Sequence, residues 1–130
     1  MKRCLSPSSK WIAACVLLLS LPACKSYVVT YEETVKSPDG EWIAFANTKE
    51  YGAFPGTAHI DTMVYLKWIN NRPVEILSFA NDVAYPPGIT RVQMKWVTPS
   101  HLDVKYDSHN ARVDFQAISC ADINITLESK

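Results

Sequence analysis

From Tyr27 onward, apolar residues recur at every second position, the period of a strand whose alternate side chains face opposite sides. Between His59 and Trp68, the residues Ile60, Thr62, Val64, Leu66 and Trp68 share one face. Val92, Met94 and Trp96 alternate with Arg91, Gln93 and Lys95. After Thr98-Pro99-Ser100-His101, Leu102, Val104 and Tyr106 alternate with Asp103 and Lys105. Strict alternation on both arms of a proline turn predicts a half-buried antiparallel hairpin, with Lys95 and Lys105 able to meet Asp103 on its wet face. Tyr27 to Val35 is rich in β-branched and aromatic residues and places Tyr27, Val29, Tyr31 and Val35 together. Trp42 to Ala46 and Val74 to Phe79 are apolar on both faces, the pattern expected of central strands covered on both sides. Val113 to Ile118 and Ile123 to Leu127 supply the last strands. Turns are expected at Ser37-Pro38-Asp39-Gly40 and Asn70-Asn71-Arg72-Pro73, and longer loops over Lys49–Ala58 and Asp82–Thr90. The pattern predicts an all-β fold: a single antiparallel two-layer sandwich or flattened barrel of about eight strands, occupying residues 27–130.

Ser37-Pro38-Asp39-Gly40-Glu41-Trp42-Ile43-Ala44-Phe45 resembles a turn-and-strand element of TolB-like and other β-propeller blades. The resemblance covers those residues alone and implies a tight hairpin entering a buried strand. A propeller needs at least about four blades of four strands, which residues 27–130 cannot supply.

The first residues follow different physics. Met1, Lys2, Arg3 and Lys10 make a basic start, and Trp11 to Leu21 is apolar. As a helix, that apolar run rises about 16 Å, against a bilayer core of about 30 Å, so it is too short for a stable span. It ends in Leu21-Pro22-Ala23-Cys24, which resembles the lipobox of bacterial lipoprotein signal peptides. The resemblance implies removal of residues 1–23 as a signal peptide and diacylglyceryl transfer to the nucleophilic Cys24 thiolate. Residues 24–26 then form a lipidated cysteine and a very short tether. With more than one acyl chain the anchor is stable, and the protein resides in the cell envelope. Lys25 stands where, in enterobacterial lipoproteins, an aspartate retains the protein at the inner membrane. The outer membrane is therefore favoured if the cell is Gram-negative. The mature chain also resembles small envelope lipoproteins of proteobacteria, a likeness that implies no particular activity.

Charge narrows the partners. The sequence holds 13 Lys and Arg against 13 Asp and Glu. Lys2, Arg3 and Lys10 leave with the signal segment and no acid does, so the remainder carries a net charge of about −3. A mildly acidic domain without a basic patch does not suit nucleic acid. Cys4 and Cys15 also leave with that segment. If Cys24 is acylated, Cys120 has no partner for a disulfide, and is either a small buried hydrophobe or a reactive thiol.

Candidate chemistry is sparse. His59 with Asp61, and His101 with Asp103, have the spacing that puts both members on one strand face, and imidazole with carboxylate can hold a divalent ion. Neither pair supplies three ligands, so no metal or other cofactor is expected, and the bland reading is solvated strand edges. Asp107 and His109 repeat the spacing in a turn. Glycine-rich phosphate loops, Gly-x-Ser-x-Gly and His-Glu-x-x-His are all absent from the sequence. Tyr51, Phe54 and Tyr85 lie in the two Pro/Gly-stiffened loops. Aromatics so placed either meet a partner at little entropic cost or fold back to close the core.

The expectation is a non-catalytic, membrane-anchored lipoprotein that binds a protein or envelope component through Tyr51, Phe54 and Tyr85. The alternatives are a structural subunit of an envelope complex, or a metal-binding protein or hydrolase using His59, Asp61, His101 and Asp103.

Overall fold

The computed structural model describes residues 27–52, 59–81 and 91–130. They form nine strands: β1 Tyr27–Lys36, β2 Trp42–Tyr51, β3 His59–Trp68, β4 Val74–Asn81, β5 Val92–Thr98, β6 His101–Tyr106, β7 Val113–Gln116, β8 Ser119–Cys120 and β9 Ile123–Ser129. One sheet has the order β1-β2-β3-β4-β7 and the other β5-β6-β9-β8. The two pack face to face as a sandwich, as the alternation predicts. No barrel closes. Among the described residues no helix is long and apolar enough to cross a membrane.

The core lies between the sheets. Trp42, Ala44 and Ala46 of β2, Ile60, Val64 and Leu66 of β3, and Ile76, Leu77 and Phe79 of β4 are buried. Across from that sheet stand Val92, Met94, Leu102, Val104, Tyr106, Ile123 and Ile125, also buried. Phe79 and Tyr106 meet across the gap with ring centroids 5.6 Å apart. Thr48 and Thr62, opposite each other on the core face, pair their hydroxyls at 3.0 Å and so satisfy two buried polar groups. Two side chains clasp opposite edges of the sandwich. Tyr31 Oη of β1 donates to the Val92 carbonyl at 2.7 Å, and Gln116 Nε2 of β7 donates to Tyr106 Oη at 2.7 Å.

The Ser37–Gly40 turn forms as expected. Gly40 N donates to Ser37 O, and Gly40 takes φ 77°, which a glycine adopts freely. Asp39 accepts from the Ser37 hydroxyl and from Glu41 N, and those bonds hold its carboxyl below the usual carboxylate range.

Four details depart from the pattern. The pairing of β6 with β9 is parallel, so the sandwich is not purely antiparallel. Residues 107–122 make the crossover this requires, visiting the first sheet as β7. The two-residue β8 is an added strand. A bulge in β1 between Val29 and Tyr31 splits the expected common face: Tyr31 is opposite core-facing Thr48, whereas Tyr27 and Val29 oppose outward Tyr51 and Lys49. One extra residue reverses every side chain beyond it. Finally, β2 continues through Lys49, Glu50 and Tyr51, because these pair in register with Asp61, Ile60 and His59. A strand therefore replaces the start of the expected loop.

Candidate functional site

The outward faces of the two sheets differ in chemistry. The four-stranded sheet shows Gln93, Lys95, His101, Asp103, Lys105, Thr126 and Glu128. Lys105 pairs with Glu128 at 2.8 Å across the parallel strands, leaving Lys95 opposite Asp103. Gln93, Lys95, Asp103 and Lys105 line a shallow cleft of about 230 Å³. Such a face is solvated charge, and its ion pairs contribute little.

The five-stranded sheet is different. Its outward rows run Thr34–Phe45–Tyr65–Glu75 and Glu32–Asn47–Met63–Ser78–Phe115. Phe45 and Tyr65 stack with centroids 5.0 Å apart at 21° between ring planes. Tyr65 Oη donates to Met63 Sδ at 2.8 Å. Burial raises the Tyr65 pKa, aided by the Glu75 charge. Phe115 on edge strand β7 is 45% exposed and, with Val74 and Glu75, borders a shallow open depression. The expectation that β2 is covered on both sides is thus corrected. No second layer lies over Ile43 and Phe45 among the described residues; neighbouring side chains half-bury them instead.

Tyr51 lies on the same outward face but beyond the Lys49–Asp61 row. It is the last residue of β2, half-buried, with its ring 5.4 Å from Tyr27 and 6.2 Å from His59. Lys49 Nζ stands 4.9 Å over the Tyr27 ring. Tyr51 therefore neither caps the core nor rides on a loop; it belongs to the outward sheet face. Phe54, Tyr85 and Cys24 lie outside the described residues. The strands flanking residues 53–58 and 82–90 meet where Ile60 pairs with Asn81, at the end of the sandwich where β1 begins.

The histidine–carboxylate pairs form, but apart. His59 Nε2 lies 2.8 Å from Asp61 Oδ1 on the outward face of the five-stranded sheet. His101 Nε2 lies 3.2 Å from Asp103 Oδ1 and 2.8 Å from Thr126 Oγ1 on the outward face of the other. Packed sheets are about 10 Å apart and these side chains point away from each other, so one ion with ligands at about 2 Å cannot bind both pairs. Among the described residues no three His, Cys, Asp or Glu gather. His101 meets carboxylate and hydroxyl at the same nitrogen, whereas a base oriented for nucleophilic catalysis uses its two nitrogens separately. His109 Nδ1 and Asp107 pair at 2.8 Å within their turn; the His109 backbone N–H is the first cause holding Asp107 below the usual carboxylate range. Cys120 is a free thiol, half-buried against the core.

Phe45, Met63, Tyr65 and Phe115 are the residues that sequence reasoning missed. Their signal was present: Phe45 makes β2 apolar on its second face, and Met63 and Tyr65 do the same for β3. No family model, no curated protein and no solved structure matches this chain.

Proposed function

We propose that this protein is a membrane-anchored bacterial envelope lipoprotein whose β-sandwich binds a protein or envelope component without catalysis. The lipobox-like Leu21-Pro22-Ala23-Cys24 supports the anchor, with Cys24 as the acylated residue. The outer membrane is the favoured site in a Gram-negative cell. The observation that carries the binding role is the apolar cluster on one outward sheet face, in which Phe45 stacks on Tyr65 and Met63 meets the Tyr65 hydroxyl; the outward face of the four-stranded sheet has no such cluster among the described residues. Aromatic and methionine side chains are enriched where proteins meet, and charged ones are depleted at the centre of such surfaces. The separation of the two histidine–carboxylate pairs weighs against a shared metal site or hydrolase.

Crosslinking followed by pulldown of the lipidated protein from its native envelope tests this reading. A reproducible partner is expected, and it should be lost on replacing Phe45 and Tyr65 by serine. A partner retained undiminished by that variant would refute the cluster as the binding surface. Absence of any reproducible partner would refute the binding role.

A further inference from the structure

The end of the sandwich where β1 begins combines several features. Val28 is 66% exposed and Val29 46%, adjacent on an edge strand and on opposite faces of it. Tyr27, Tyr51 and Lys49 flank them, with Glu50 opposite Val28. Tyrosine rings, short apolar side chains and a lysine are the mixture that settles at a lipid–water boundary. Glu32 and Glu33 lie three and four residues beyond Val29 along β1, roughly 10–13 Å at strand rise, whereas Glu50 and Asp61 lie at the corner itself, opposite Val28 and Lys49.

Chain length says what covers this corner. Three residue steps separate Cys24 from Tyr27, a reach of at most about 11 Å. The polar layer on each side of a bilayer core is itself about 5–8 Å thick. A lipid on Cys24 therefore keeps the first residues of β1 in or beside the headgroups. The far end of β1, at Lys36, is about 30 Å further on.

We infer that the corner formed by Tyr27, Val28, Val29, Lys49 and Tyr51 docks on the lipid surface itself, fixing the sandwich upright with its Ser37–Gly40 turn away from the membrane. This rests on the proposed Cys24 anchor and adds an orientation to it. The Phe45–Tyr65–Met63 cluster then stands clear of the membrane, with the Lys49–Asp61 row between it and Tyr51.

Depth-dependent quenching tests the docking. Val28→Cys and, separately, Val97→Cys are introduced in a Cys120→Ser background, expressed as full chains and purified with their lipid. Each is labelled with an environment-sensitive fluorophore. The proteins are reconstituted into vesicles of phosphatidylethanolamine with a minor share of phosphatidylglycerol, with or without headgroup-attached nitroxide lipid. Val97 is an exposed control near the opposite end. The label at position 28 should be quenched at least about threefold more than that at 97, because only the former lies within the headgroup layer. Equal quenching in protein that floats with the vesicles would overturn the docking and leave the anchor standing. A label at 28 shielded from aqueous iodide yet untouched by lipid nitroxide would also overturn it, pointing to a protein on that corner. Protein that neither floats nor carries acyl mass would overturn docking and anchor together.

Discussion

Replacing Tyr31 with phenylalanine removes one oxygen from the seam between the sheets and leaves the ring in place. That oxygen lies 2.7 Å from the Val92 carbonyl and 2.7 Å from Glu33 Oε2. The first contact ties edge strand β1 to β5 of the opposite sheet. A net hydrogen bond contributes about 1 kcal/mol, and one to a charged acceptor somewhat more before solvent screening. The phenol has one hydrogen for two acceptors, so the contributions do not simply add. The expected loss is about 1–2 kcal/mol, read from urea unfolding followed by tryptophan fluorescence at neutral pH.

The same variant has a signature in alkali. Burial, then the hydrogen bond and charge of Glu33, raise the Tyr31 pKa above its ordinary value of 10.0. The folded state thus holds the phenolic proton after the unfolded chain has begun to release it. This contribution is complete below about pH 10 and is lost progressively as the pH rises beyond it. Wild-type stability should fall through that range, and Tyr31→Phe should fall less steeply. Tyr65, also raised by burial, preserves part of the slope in both proteins. A loss below about 0.5 kcal/mol with an unchanged alkaline slope would refute the seam as described.

Two further substitutions probe the fold. Phe79→Ala empties a fully buried site facing Tyr106 and should cost about 3–5 kcal/mol in the same urea titration; a loss under about 1 kcal/mol would show that Phe79 does not bridge the sheets. Ala121 sits at φ 52°, a left-handed conformation disfavoured for alanine, in the turn joining β8 to β9. Ala121→Gly should therefore stabilise the protein by about 0.5–1 kcal/mol, whereas the same change in an ordinary strand destabilises.

The fold was legible where side chains alternate without interruption. β3, β5 and β6 declare their buried faces through Ile60 to Leu66, Val92 to Trp96 and Leu102 to Tyr106. Legibility fails at single residues that break the count. The bulge after Val29 reverses the outlook of Tyr31, and the irregularity in β4 lets adjacent Ile76 and Leu77 both enter the core. Parallel pairing of β6 with β9 has no turn to announce it, since its partners are joined through another sheet. At the site, the aromatic character of Tyr51 was readable but its strand position was not. That position depends on pairing with Tyr27 and His59, both remote in sequence or across a loop. The outward Ile43 and Phe45 of β2 read as coverage by another layer, because an apolar face looks the same in sequence whether or not a layer of this chain covers it.

Intact-mass spectrometry of protein isolated from its native membranes decides whether Cys24 carries a lipid. The expected species begins at Cys24 and is heavier than the polypeptide alone by a diacylglyceryl group, with or without a further acyl chain. An unmodified chain, or one still carrying residues 1–23 without added lipid, would contradict the anchor.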